Sequence, residues 1–287
     1  MRSWLFVPGS NKRALERSLT LEADMIIYDL EDAISINEKQ KARTLVKDIL
    51  ERSKKVNYVR INRLSTLAYE DVEEIVQKGI AGVVLPKAET REDILVLDHQ
   101  LSHWEQKRHI PAGSVRIVPL IESALGLYHS VEIAQASPRV NQLMFGAVDF
   151  TLDINTQMSE SGEEIIYARS QLVIASRVAG IEAPIDTVYT DIHNSEGLLA
   201  DTQLAKQLGF QGKLIIHPGQ ISDVNRVFTP DEKEIEEAQG ILNANEQAER
   251  DGLGAFQLNG KMIDFPVVER ARKIIKKYNK FVIEHNT

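Results

Sequence analysis

Eight short apolar runs recur along the chain, at 4–7, 25–30, 58–61, 83–85, 116–121, 143–147, 185–189 and 213–216, each followed by polar or turn residues. Their starts are spaced by roughly 30 residues, the length of a strand–helix–strand unit. Several runs do not alternate, as Met25-Ile26-Ile27-Tyr28 shows. A strand that is apolar on both sides is covered on both faces, as in a parallel sheet. The intervals carry helical spacing: over 38–50, Ala42, Leu45, Val46, Ile49 and Leu50 share one side, and 11–23, 163–179 and 194–208 behave alike. Eight strands alternating with helices predict an α/β fold, a (β/α)8 TIM barrel. The rival is a doubly wound open sheet. Its first strand would more often lead into a glycine-rich dinucleotide loop, whereas here Pro8-Gly9-Ser10-Asn11 follows.

Eight such units are complete by residue 228, which leaves 229–287 as a C-terminal extension. Thr229-Pro230 predicts a helix start, with proline in the first turn. Gly252-Leu253-Gly254 breaks that helix, and 256–264 predicts a hairpin turning at Asn259-Gly260. Pro266 opens a last helix striped by Val267, Ala271, Ile274, Ile275 and Tyr278, which must pack on its own barrel or on a neighbouring subunit.

With 34 Lys and Arg against 42 Asp and Glu the net charge is −8, which argues against non-specific binding to nucleic acid or to an anionic membrane. The absence of cysteine excludes a disulfide framework, a thiol nucleophile and zinc–cysteine sites. The first apolar run ends at Pro8-Gly9, too short for a signal-peptide core, and no stretch approaches the ~18 apolar residues of a membrane span. A cytoplasmic protein is expected.

In a TIM barrel the active site lies at the C-terminal ends of the strands. Polar residues follow the runs there: Asp29-Leu30-Glu31-Asp32, Arg60-Ile61-Asn62, Pro86-Lys87, Glu122-Ser123, Asp149 and His217-Pro218. Glu122 and Asp149, from adjacent strands, would repel unless a cation or proton came between them. Mg²⁺, a hard ion that takes oxygen ligands, resolves that conflict; the alternative is that both carboxylates cap helices or pair with arginines. Arg60 presents a planar fork suited to a carboxylate, or it pairs with Asp29 or Glu31 from the next strand. Glu31 and Asp32 would hold metal-bound waters, or serve as a cap and an internal ion pair. Lys87 would offer Schiff-base chemistry, against the commoner solvated or ion-paired lysine. Arg13, Lys39 and Arg43, with Arg2 and Lys12, either meet phosphates of an extended ligand or are solvated helix-face charges. His193 and His217 are isolated, and no H-E-x-x-H, G-x-S-x-G or P-loop pattern occurs.

These strand ends resemble those of the citrate lyase β-subunit-like proteins in the HpcH/HpaI aldolase superfamily, relatives of malyl-CoA and citramalyl-CoA lyases. The likeness is carried by Arg2-Ser3-Trp4-Leu5-Phe6-Val7-Pro8-Gly9, Tyr28-Asp29-Leu30-Glu31-Asp32-Ala33, Val59-Arg60-Ile61-Asn62 and Leu85-Pro86-Lys87. It continues through Leu120-Ile121-Glu122-Ser123-Ala124-Leu125-Gly126, Phe145-Gly146-Ala147-Val148-Asp149-Phe150, Pro184-Ile185-Asp186-Thr187-Val188-Tyr189, Gly212-Lys213-Leu214-Ile215-Ile216-His217-Pro218 and Gly260-Lys261-Met262-Ile263-Asp264. The resemblance implies a TIM barrel with Mg²⁺ held by Glu122 and Asp149, and Arg60 on the carboxylate of a 2-oxo acid fragment. It implies a homotrimer or hexamer in which the C-terminal extension is a lid over the next subunit's site, carrying Asp264 as catalytic acid. It places Lys39 and Arg43 among basic positions near coenzyme A. Ile36, and Ala183 before Pro184, depart from prolines common in the family.

The activity so implied is Mg²⁺-dependent cleavage of a carboxylated 3-hydroxyacyl thioester, of malyl-, citramalyl- or citryl-CoA type, into a 2-oxo acid and an acyl-CoA. Three alternatives stand beside it: a citrate lyase β subunit acting on a thioester of an acyl-carrier protein, a malyl-CoA thioesterase, and a non-catalytic acyl-CoA-binding barrel.

Overall fold

The structure is a computed structural model and describes residues 1–285. Eight parallel strands close into a barrel in chain order: β1 (Ser3–Pro8), β2 (Met25–Asp29), β3 (Asn57–Arg60), β4 (Ile80–Leu85), β5 (Arg116–Ile121), β6 (Met144–Phe145), β7 (Ile185–Asp186) and β8 (Gly212–Ile215). The ring is completed where Ser3, Trp4 and Leu5 pair with Lys213, Leu214 and Ile215. Around it run α1 (Lys12–Ser18), α2 (Lys39–Arg52), α3 (Ala68–Ile75), α4 (Arg91–Lys107), the short α5 (Ala124–Tyr128) and α6 (Ser130–Ala134), α7 (Ala147–Asp153), α8 (Ile166–Ala179), α9 (Ser195–Leu208) and α10 (Ile221–Phe228). The (β/α)8 barrel expected from the apolar runs is the fold, and each run overlaps a strand.

Local chemistry sets the helix ends. The Asn11 side chain accepts the Ala14 N–H, Thr90 and Asp93 form a reciprocal capping box, and Gly180 and Gly209 end α8 and α9 in left-handed conformation. The helix predicted over 11–23 stops at Ser18. There the Ser18 hydroxyl donates to the Leu15 carbonyl at 2.6 Å and the Thr20 hydroxyl to that of Arg17 at 3.1 Å, local bonds that compete with further helix. The sixth and seventh runs are longer than their strands. Ala147, predicted in a strand, instead opens α7, and its N–H is taken by the Thr187 hydroxyl at 3.0 Å just past β7.

The barrel has two apolar layers. Inward-facing Trp4, Met25, Ile27, Tyr58, Val84, Val118, Leu120, Met144, Ile185 and Leu214 fill its interior, while outward-facing residues such as Leu5, Ile26, Val59 and Ile121 pack against the helices. The short β7 borders a buried charge network in the outer layer. Arg169 donates to Asp186 at 2.9 and 2.8 Å and to Asp201 at 2.7 Å; the Lys213 ammonium lies 2.7 Å from Asp186 and 2.6 Å from Asp201. Arg169, Lys213 and Asp186 are fully buried. Asp201 is lowered from the ordinary aspartate value because Lys213 and Arg169 outweigh its burial.

The chain divides into two compact units, Met1–Phe228 and the segment from Thr229 onward. The second consists of α11 (Glu232–Arg250), the antiparallel pair β9 (Phe256–Leu258) and β10 (Lys261–Ile263), and α12 (Phe265–His285). Its first helix begins after Pro230, at the Asp231–Glu234 capping box. The hairpin turns where predicted, with positive φ at both Asn259 (49°) and Gly260 (77°). Among the described residues no helix is long and apolar enough to cross a membrane.

Removing one member of the Arg169 network leaves its partners charged and buried, which typically costs about 3–5 kcal/mol. Arg169→Met should therefore lower the unfolding free energy read from urea denaturation by about that amount, whereas an unchanged free energy would mean that the network does not hold β7 to α8 and α9.

Candidate active site

Side chains alternate along a strand, so the inward-facing series continues past the interior at every second residue. Two positions beyond Trp4, Ile27, Tyr58, Leu120, Met144 and Leu214 stand Phe6, Asp29, Arg60, Glu122, Gly146 and Ile216. All six line one cavity of about 420 Å³, together with Pro8, Asp32, Val148, Asp149, Thr187 and Val188. Glu122 and Asp149, named from sequence, thus share the mouth of the barrel with Arg60 and Asp32.

Arg60 organises its charge. Its Nε and Nη2 donate to the two oxygens of Asp29, each at 2.8 Å, and its Nη1 lies 3.2 Å from both Glu31 and Asp32. The guanidinium stands over the Phe6 ring, 4.9 Å from its centroid. Pairing with Asp29 and Glu31 is therefore how Arg60 is held, and a second Nη2 proton lies outside these bonds for a ligand. Burial works against the charge, but the Asp29 bond and the surrounding carboxylates raise Arg60 above its ordinary value.

Glu122 follows β5 and is 4% exposed. Its Oε1 accepts the Lys87 backbone N–H at 2.8 Å. A Cβ on Gly146 would lie 2.6 Å from its Oε2, so only glycine leaves room for this carboxylate. Burial first, then the charges of Asp149 and Glu31, push Glu122 up to about 8. Glu31 is pushed up to about 7, again mainly by burial. Asp149 lies in the first turn of α7 rather than at the end of a strand, 3.3 Å from the Lys87 ammonium.

Five carboxylates (Asp29, Glu31, Asp32, Glu122 and Asp149) thus meet three cations, Arg60, Arg63 and Lys87. No three His, Asp or Glu side chains among the described residues form a metal cluster by themselves. Two carboxylates with open positions nevertheless fit Mg²⁺, which commonly takes one or two protein carboxylates and completes its shell with water and substrate oxygens.

The basic residues divide. Lys39 is buried, and its ammonium donates at 2.7 Å to each of the Leu30 carbonyl, the Glu31 carbonyl and the Asn62 side chain. Arg43 is buried as well, its Nε 2.7 Å from Asp71 and its Nη1 3.1 Å from Gln40. The resemblance placed these two near coenzyme A; here their charged heads point into the protein, Lys39 holding the β2 exit and Arg43 holding Asp71. Arg13 is exposed and lines a second cavity of about 290 Å³ with Arg17 and His217. His217 caps the turn after β8, accepting the Gly219 N–H at 3.1 Å. Asp264 belongs to the second unit, where its carboxylate accepts the Val267 N–H at 3.4 Å at the start of α12. Sequence reasoning did not count Phe6, Asp29 or Gly146 among the site residues; their signal was the inward parity of strands whose interior residues are apolar.

Residues 2–218 match the HpcH/HpaI aldolase/citrate lyase family, and residues 161–283 match a carbon–carbon bond lyase family of the TIM-barrel fold. The chain belongs to the HpcH/HpaI aldolase/citrate lyase family. Within it, the citrate lyase subunit beta of Haemophilus influenzae is 40% identical over 96% of both chains. The mitochondrial citramalyl-CoA lyase of Mus musculus is 31% identical over 96% of this chain and 85% of its own. The crystal structure of CitE from Mycobacterium tuberculosis in complex with magnesium, acetoacetate and coenzyme A superposes with a TM-score of 0.79, at 28% identity over 97% of this chain and 98% of that one. The protein is accordingly a carbon–carbon lyase of this family.

The raised Glu122 carboxyl makes the metal-free fold pH-sensitive. Between the ordinary glutamate value and about 8 the native state binds a proton that the unfolded chain releases, so stability falls as pH rises through that window. In EDTA the urea midpoint should be lower at pH 9 than at pH 6, and Glu122→Gln should remove most of the difference. A midpoint that rises with pH would show that Glu122 is ionised throughout.

Proposed function

We propose that the protein is a Mg²⁺-dependent lyase that cleaves a carboxylated 3-hydroxyacyl thioester, of malyl-, citramalyl- or citryl-CoA type, into a 2-oxo acid and an acetyl or acyl thioester. The observation that carries this reading is the excess of carboxylates at a barrel mouth that also presents Arg60. Such a site repels an anionic substrate unless a divalent cation is shared with it. Glu122 and Asp149 would hold the ion, with Glu31 and Asp32 accepting from its waters. Bound there, Mg²⁺ supplies Lewis-acid stabilisation of the oxyanion that develops as the bond breaks.

The chain's own residues account for the rest. The remaining Nη2 proton of Arg60 orients the carboxylate of the oxo acid fragment, and the Asp29 clamp keeps the fork from turning. Phe6, Leu120, Phe145, Val188 and Leu214 form apolar walls that keep water from the acyl carbon. A general base at the mouth takes the proton of the substrate hydroxyl, the hydroxyl oxygen becomes the ketone oxygen, and the electrons of the broken carbon–carbon bond form a thioester enolate. A proton from Asp264 to the enolate carbon completes the products. Met262 and Phe265, on either side of Asp264, are each 71% exposed. A hairpin that presents apolar side chains around a carboxyl suits a lid closing over a neighbouring subunit's barrel in a homotrimer or hexamer. Arg13, beside the second cavity with Arg17, is placed to meet the phosphates of coenzyme A.

A second reading is favoured by one finding. Relatives named citrate lyase subunit beta reach 40–41% identity, against 30–31% for the citramalyl-CoA lyases. The thioester would then be carried by an acyl-carrier protein.

Incubation of the Mg²⁺-supplemented protein with malyl-CoA, citramalyl-CoA and citryl-CoA should release glyoxylate, pyruvate or oxaloacetate with the acyl-CoA. Malate or citramalate with free CoA would mark a thioesterase. Turnover only of a carrier-bound thioester would select the second reading, and binding without turnover of either form would contradict the lyase. Asp264→Asn should lower kcat by about 10²–10⁴-fold while leaving Mg²⁺ binding intact; full turnover by this variant would remove Asp264 from the mechanism.

A further inference from the structure

Lys87 touches both carboxylates assigned to the metal and has no part in the chemistry above. It follows β4 through Pro86 and adopts a left-handed backbone, with φ of 47°, a conformation that costs a lysine energy. The backbone N–H donates to Glu122 Oε1 at 2.8 Å, and the ammonium lies 3.3 Å from Asp149 Oδ1. One contact is made by an amide that no change of side chain removes; the other is made by charge. A glycine would take this φ without strain and still supply the amide, so the amide alone does not call for lysine. The side chain is 28% exposed and borders a separate polar cavity with Arg63, Ser65, Glu89 and Asp93. The ammonium therefore has space to leave Asp149.

We propose that Lys87 is a positioning residue for the metal site: its amide fixes Glu122, and its ammonium is the resident counter-ion of Asp149, displaced toward the neighbouring cavity when a divalent cation enters. The inference rests on the assignment of Glu122 and Asp149 to Mg²⁺. An ammonium a few ångströms from Asp149 and a divalent ion on the same carboxylate repel each other, so the lysine weakens metal binding while keeping the metal-free carboxylates from driving one another apart.

Calorimetric titration of the metal-free full-length protein with MgCl₂ tests this without reference to activity. Lys87→Met should bind Mg²⁺ about three- to tenfold more tightly than wild type, because the competing charge is gone. Lys87→Arg, which keeps the charge, should stay within about twofold of wild type. Lys87→Gln serves as a second neutral variant should the methionine protein prove insoluble. Glu122→Gln is the control for the underlying assignment. If it loses Mg²⁺ binding while neutral Lys87 variants bind no more tightly than wild type, the counter-ion role is overturned and the metal site stands. Equal tightening by methionine and arginine also overturns it, since charge would not be the cause. If wild type binds no Mg²⁺, or Glu122→Gln binds it unchanged, the metal assignment fails and the counter-ion role fails with it.

Discussion

Like charges forced together at the end of a closed barrel are the constraint on which the site depends. Asp29, Asp32, Glu122 and Asp149 line one opening, Glu31 joins them through Arg60, and Glu122 and Glu31 are buried. In water such a group would spread apart; in a barrel it cannot, because each carboxylate is delivered by a strand or by the turn that follows it. Arg60 compensates part of the repulsion, taking Asp29 with two parallel bonds and reaching Glu31 and Asp32 with its remaining nitrogen. Burial first, and then the neighbouring carboxylates, displace Glu122 and Glu31 upward despite Arg60. A protein that keeps charge in this arrangement has a use for a cation or a proton there.

The interior of the barrel makes the arrangement rigid. Trp4 and Tyr58 pack with ring centroids 4.9 Å apart, at the level below Phe6 and Arg60. The arginine fork thus stands on a filled aromatic floor, and Phe6 supports it from the side. Gly146 supplies the complementary device, an empty position where any Cβ would displace Glu122. The outer layer contributes the Arg169–Asp186–Asp201–Lys213 network, which ties the short β7 to β8 and to α8 and α9. Stability and site geometry therefore come from opposite faces of the same strands.

Much of this was legible in the sequence. Each of the eight apolar runs overlaps one of the eight strands, and the helices over 163–179 and 194–208 end at the left-handed Gly180 and Gly209. Glu122 and Asp149 stand out as charges just beyond apolar runs, and Arg60 as a charge near the end of one. Less was legible where one residue type serves two ends. Ala147 is as apolar as a strand residue, yet it begins α7 and carries Asp149 into a helical turn. Lys39 and Arg43 look like surface charges on a helix, but their heads are turned inward by Asn62 and Asp71, residues distant in sequence. Pairing across such separations has no local signature. The left-handed Lys87 had none either, since the sequence shows a lysine after a proline and not the φ it adopts.

Family membership agrees with a metal lyase without deciding where an ion sits in this chain, and direct localisation of the ion addresses the central claim most sharply. Crystals grown with MnCl₂ and an oxo acid, measured at the manganese edge, should show one anomalous peak between the carboxylates of Glu122 and Asp149, on the cavity side and within reach of the acid held by Arg60. A peak elsewhere, or none while Lys87 remains on Asp149, would contradict the account.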